Sequence, residues 1–328
     1  MPITNSPSPI SPVSALRKII AKDFAVVKDV TYPTLSYMVA LGRTRDASQT
    51  TINWNADVGG EGTNFRDIVS DAGSNSQGNT EPASLSIGQS AITHVFDLSK
   101  VEVEMAANVG VEAIKDLFKS HLDRGRTKIL RDLNKAILDG DGTLSNSCRV
   151  IGFDKIVDPT YNYAGINRTT YTRWRSPQLI NGGTPRNLTV SLMLSMETEL
   201  ITRERTYNAI VTTPLLAQKY KELFNASRSF QVNNGANAAD LGISDISYNG
   251  RPILVDPQCP TGKMFFLDTN DLYVHSFVTK EDVVIDGLRF MFSELPVSNG
   301  YQMKYEMGII PQFQAFNSQA VGVLGDLQ

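Results

Sequence analysis

Residues 152–176 read GFDKIVDPTYNYAGINRTTYTRWRS. The stretch is dense in aromatic side chains (Tyr161, Tyr163, Tyr171, Trp174) and in arginine (Arg168, Arg173, Arg175). It has no His and no Cys, and its only acids are Asp154 and Asp158. Glycine and proline break it into short pieces. Arginine and aromatic residues are the types enriched at protein–protein hot spots, and a segment without a nucleophile or base has no catalytic logic. Stacking on single-stranded nucleic acid is a second reading of the same residues. A third is internal: Arg168, Arg173 and Trp174 stapling a loop by cation–π contact.

The charge balance bears on that choice. The chain has 328 residues, 31 Lys plus Arg against 34 Asp plus Glu, and a net charge of -3. Tight phosphate binding needs concentrated basic residues, so contact with protein is the favoured reading. The length exceeds the usual single domain, and two lobes with extended appendages are expected. Cys148 and Cys259 lie far apart with no CxxC spacing, so reduced thiols are the simpler reading. No apolar run approaches a membrane span.

Upstream, residues 1–14 are uncharged and proline-rich, which favours an extended arm. A short helix is expected over 15–30, and the apolar residues 35–41 read as β-prone. Residues 42–98 are rich in Gly, Ser, Thr and Asn. Two alternating segments, 50–56 (Ile52 and Trp54 on one face) and 84–98 (Leu85 and Ile87), flank a long polar tip that contains Phe65 and Arg66. A long structureless loop in a compact domain is suspect, so the region reads as a long two-stranded hairpin. Such a hairpin is marginal alone in water and needs a neighbouring subunit to lie on. Residues 99–105 alternate strictly and predict a strand. Then Ile114, Phe118, Leu122, Gly125, Ile129, Leu133 and Ile137 form one apolar stripe, which predicts a long helix over 109–138. Gly125 inside it suggests a bend or a close backbone approach.

The second half predicts a helix over 189–203, a buried strand at 209–211, and a helix opened by Thr213 and Pro214. A hairpin is expected across Asn249 and Gly250. Strands are expected at 263–268, 272–277 and 301–307, with extended chain from 313 to 324. His94, His121 and His275 show no metal-ligand spacing. There is no GxSxG elbow and no phosphate loop. No catalytic residue, cofactor or metal is expected, and an enzyme is the disfavoured class.

Three segments resemble the major capsid proteins of tailed bacteriophages. They are 152–176, the helix–strand–TTP–helix run 189–224 with its RTYNAIVTTPLLAQKYKELF, and ISYNGRPILVDPQCPTGKMFFLDTNDLYV (246–274). The order of parts is similar to the Hong Kong 97-type capsid fold. That resemblance implies an α+β chain with an N-terminal arm (1–27), the start of a peripheral domain (28–41), an extended hairpin loop (42–98), a peripheral domain with a spine helix (99–142), an axial domain (143–265) and a return to the peripheral domain (266–328). It implies hexamers and pentamers of the chain tiling an icosahedral shell around double-stranded DNA, assembled in the bacterial host cytoplasm. The DNA would be contacted weakly and non-specifically. The short arm predicts a separate scaffolding protein; a portal protein and a cement or decoration protein are further expected partners, and no membrane is. Candidate subunit contacts are Trp54, Phe65, Arg66, Arg168, Tyr171, Arg173, Trp174 and Arg175. An encapsulin-like nanocompartment is the alternative.

Overall fold

A computed structural model of the chain describes residues 32–59, 80–109, 111–225, 247–280, 282–297 and 301–328. The expected arm, the helix over 15–30, and the hairpin tip with Phe65 and Arg66 lie outside these residues. In chain order the elements are α1 (Pro33–Ala40), β1 (Thr44–Ala47), β2 (Thr51–Asp57), β3 (Thr80–Ser86), β4 (Ile92–Ser99), α2 (Lys100–Val109), α3 (Val111–Asp139), α4 (Leu144–Ser147) and α5 (Phe153–Val157). There follow β5 (Gln178–Leu179), α6 (Val190–Thr202), β6 (Ala209–Thr212), α7 (Pro214–Asn225), β7 (Ser247–Tyr248), β8 (Arg251–Val255), β9 (Met264–Leu267) and β10 (Leu272–Phe277). The chain ends through β11 (Asp282–Ile285), β12 (Leu288–Leu295), β13 (Gln302–Ile309), β14 (Pro311–Ala315) and β15 (Val321–Leu324). The chain is α+β, as expected.

The spine helix α3 runs 29 residues, roughly 44 Å at about 1.5 Å per residue. Its stripe is buried at Phe118, Leu122, Ile129, Leu133 and Ile137. The four-stranded sheet β11-β12-β13-β4 packs on it. Gly125 marks a close approach, because a Cβ there would lie 2.7 Å from His94 Cδ2 on β4. Arg126 is buried on the same side and ion-pairs with Asp286. Its partner sits in the β11–β12 turn. That turn, Asp286-Gly287, carries positive φ at both residues, the backbone a two-residue hairpin requires.

Two local expectations are corrected. Residues 35–41 are not β but belong largely to α1. Pro33 occupies its first turn, and two of its free amides find side chains far along the chain. Thr34 N donates to Asp256 Oδ2 (3.3 Å) and Leu35 N to Asn134 Oδ1 (2.9 Å). Residues 100–105 are helical rather than a strand. Ser99 and Glu102 form a capping pair: Val101 N donates to Ser99 Oγ (3.2 Å) and Ser99 N to Glu102 Oε2 (3.2 Å). That Ser-x-x-Glu spacing is a helix start, and it outweighs the alternation.

The six-stranded sheet β5-β15-β9-β6-β8-β7 separates two cores. Alternate residues of one strand point to opposite faces. Thus Val211, Phe265 and Leu267 join the core of α3 and residues 150–174, while Ile210, Met264 and Phe266 join a second core with α6 and α7. β15 pairs antiparallel with β9, Val321 opposite Leu267. Its Val321 and Val323 join the first core, while Leu324 and the following Leu327 join the second. The last strand therefore serves both cores.

Among the described residues β2 and β3 pair only with each other, Ile52 opposite Leu85. The hairpin proper is narrower than 42–98: β1 belongs to a three-stranded sheet with β10 and β14, and β4 to the sheet over α3.

Candidate assembly surface

The arginine–aromatic segment builds an internal staple first. Tyr163 is fully buried; its hydroxyl accepts from Ala315 N (2.8 Å) and donates to Ala315 O (3.2 Å). Arg168 is also fully buried. Its guanidinium lies 5.8 Å from the Tyr163 ring centroid, and Nη1 donates to Asp158 O (2.7 Å). Burial pushes the Arg168 guanidinium down to about 10 and the Tyr163 phenol upward. Burial also opposes ionisation of Asp158, but the Thr160 hydroxyl and amide and the Lys155 ammonium outweigh it and hold the carboxyl at about 2. Trp174 is buried beside them. Downstream, Ser176 Oγ donates to Ser318 O (2.7 Å), Ser318 Oγ to Trp174 O, and Gln319 Nε2 to Arg173 O. Arg168 and Trp174 are therefore corrected as subunit contacts. They are interior residues, because the segment spends its aromatic mass on covering the end of β14.

Arg173 and Arg175 face outward from this staple. Arg173 is exposed and forms no ion pair among the described residues. Its Cδ occupies the place a Cβ on Gly59 would need. Arg175 Nε donates to Arg168 O (2.8 Å). The two line a groove of ≈ 530 Å³ with Arg203, Glu204 and Gln319. Arg203 Nη1 donates to Arg175 O (3.0 Å) and Nη2 pairs with Glu199 (2.7 Å). Arg205 Nε donates to Gln319 Oε1 (3.1 Å). Arg205 lines an adjacent pocket with Arg173 and Gln319. The sequence reading missed Arg203, which reaches the groove from the end of α6, and Arg205 beside it.

Trp54 and Tyr171 tie the hairpin to the body. Trp54 Nε1 donates to Phe316 O (3.0 Å) and its ring stacks on Phe316, centroids 6.3 Å apart. Tyr171 donates its hydroxyl to Glu81 on β3. Phe316 stays 43% exposed, so the root of the hairpin presents an aromatic rim beside the arginine groove. The three histidines stand on separate elements, β4, α3 and β10. Among the described residues no group of His, Cys, Asp or Glu could hold a metal, and no helix is long and apolar enough to cross a membrane.

Spine helix, self-paired hairpin and two-core body define the class: the subunit fold of protein shells. The particular fold is the Hong Kong 97-type capsid fold. The chain is similar to the capsid asymmetric unit of cyanophage A-1(L), with a TM-score of 0.76 and 21% identity over 94% of this chain and 96% of that one. It is similar to the capsid of a native GTA particle, with a TM-score of 0.63 and 12% identity over 92% of each chain. The SrpI encapsulin of Synechococcus elongatus aligns with a TM-score of 0.56 and 11% identity, over 96% of this chain and 95% of that one. No protein-family model and no curated protein matches the sequence.

Proposed function

We propose that the chain is the major capsid protein of a tailed double-stranded DNA phage. It assembles as hexamers and pentamers into an icosahedral shell around the genome. The observation that carries this reading is the β2–β3 hairpin, which pairs with no other strand among the described residues. One face of the hairpin packs on the body through Ala56, Ala83 and Leu85, but each strand keeps an edge with no strand partner among the described residues, and an exposed edge invites pairing unless something covers it. A neighbouring copy of the chain supplies that cover. The full-length similarity to a cyanophage capsid supports the phage assignment. The same reading gives the chain no catalytic step. It adds a separate scaffolding protein, a portal protein and a decoration protein as partners, the virion as the final location, and the host cytoplasm as the place of assembly.

The second reading is an enzyme-holding nanocompartment, favoured by the encapsulin similarity. Negative-stain electron microscopy of the protein, alone and with a candidate scaffolding protein, tests the shell. Closed shells or capsomer rings support the proposal, and monomers in both samples overturn it. Nuclease-protected DNA in particles from infected cells supports the phage reading; particles that hold a cargo enzyme instead favour the nanocompartment.

A further inference from the structure

We infer that the exposed face of α3 is a binding surface for the phosphate backbone of duplex nucleic acid. Arg124, Lys128, Arg131 and Lys135 are all exposed. Their spacing of four, three and four residues sets them in one row along the helix. At about 1.5 Å per residue the row is roughly 16 Å long. None of the four forms a salt bridge among the described residues. The ion pair described for α3, Arg126 with Asp286, lies on its buried side. Exposed Asp132 and half-buried Asp123 flank the row. Lys128 acts electrostatically on His94, and Lys135 on Asp139.

Like charges three and four residues apart repel on a helix. A row of four therefore weakens α3 until an anion covers it. The shape of that anion follows from what else the face carries. Along the row itself, every large hydrophobic side chain from Leu122 to Leu138 is buried. A protein partner would need apolar or aromatic anchors there. A linear row of flexible cations without anchors matches a linear polyanion, and duplex DNA carries one charge per about 1.7 Å. The net charge of -3 keeps the protein as a whole from attracting DNA; a local row on a slightly acidic body gives weak contact independent of sequence. The inference deepens the capsid reading and rests on it for its setting: in a shell, it assigns the α3 side to the inner wall.

The test is fluorescence anisotropy of a labelled short duplex of arbitrary sequence with the full-length protein, across a salt series. The expected log–log slope of affinity against salt is about -3 to -4, at roughly 0.9 per neutralised phosphate. The combined variant Arg124→Gln, Lys128→Gln, Arg131→Gln and Lys135→Gln should lose more than about tenfold in affinity and most of that slope. Its circular dichroism and melting midpoint should match or exceed the parent, because repulsion is removed. Lys119→Gln, exposed but off the row, should bind as the parent does. A parent without salt-dependent binding, or a combined variant that binds equally well, overturns the inference. So does tighter binding of polyglutamate than of duplex, which points to an acidic protein partner. Shell formation is read separately by microscopy. A protein that binds duplex through the row but forms no shell loses the capsid reading alone, and shells whose duplex binding ignores the row lose this inference alone.

Discussion

The imidazole of His94 on β4 fills the space that a side chain at position 125 of α3 would take, with a Cβ at Gly125 falling 2.7 Å from His94 Cδ2. Helix propensity alone favours alanine there by up to ~1 kcal/mol. The contact reverses that sign, because the ring must shift against the sheet. Gly125→Ala should destabilise the unassembled protein by about 1–2 kcal/mol in denaturant unfolding. Adding His94→Ala should recover part of the loss, with a coupling of about 0.5–3 kcal/mol. A Gly125→Ala protein more stable than its parent would show that the ring has room.

Stability should fall as pH drops below neutrality. Burial, then Lys128 and His121, holds His94 below the usual imidazole range; burial also lowers His275 against an opposing hydrogen bond from Gln314. Both rings stay neutral in the fold while the unfolded chain takes up protons below a pKa of about 6.5. The unfolded state then binds more protons, so unfolding becomes easier as pH falls through that value toward the lower folded values. Each histidine contributes a slope of at most about 1.4 kcal/mol per pH unit. Melting midpoints of the parent, His94→Gln and His275→Gln across this range check it, and a parent midpoint flat in pH would contradict it.

Arg168 separates packing from charge. Among the described residues its Nε and Nη2 have no hydrogen-bond partner, and its charge is desolvated. Arg168→Ala leaves a cavity against Tyr163 and should cost about 3–5 kcal/mol. Arg168→Met keeps most of the volume and removes the buried cation, so its cost should stay under about 1.5 kcal/mol. Equal losses in the two variants would show that the hydrogen bond to Asp158 O dominates instead.

Glu197 of α6 gathers the second lobe. Its carboxylate accepts from Tyr207 (3.2 Å), Tyr248 (3.3 Å), Asn249 (2.9 Å) and Arg251 (3.3 Å). Burial, then Glu197, pushes the Tyr248 phenol up to about 12. Glu197→Gln should cost about 1.5–3 kcal/mol and let Tyr248 ionise at lower pH in an ultraviolet titration. An unchanged tyrosine titration would remove Glu197 as the cause.

Arg173→Glu tests the contact surface without touching the core. The side chain is exposed, so the fold should change by less than about 0.5 kcal/mol. Shell or capsomer yield should fall sharply, because the groove with Arg175 and Arg203 gains an opposite charge. Normal shells from this variant would exclude the groove from assembly.

How legible the fold was depended on how local its determinants are. The stripe of α3 appeared because its spacing repeats over many turns, and the Asn249-Gly250 hairpin because two residues suffice to set its backbone. Ser99 and Glu102 carried a helix start that alternation at 101–105 masked. The helix over 33–40 was illegible in principle, since the groups that satisfy its amides, Asn134 and Asp256, come from distant parts of the chain. The candidate surface divided in the same way. Sequence marked residues 152–176 as rich in contact chemistry but could not tell inside from outside.

By itself, then, the sequence determined the α+β class, the spine helix, the self-paired hairpin and the resemblance to capsid proteins, because periodicity, turn residues and local motifs act over a few residues. Tertiary structure alone decided that Arg168 and Trp174 are buried, that Arg203 joins Arg173 at one groove, and that the last strand serves both cores. Those outcomes depend on which distant surfaces exclude water from one another, and burial of that kind is a property of the packed chain rather than of any segment of it.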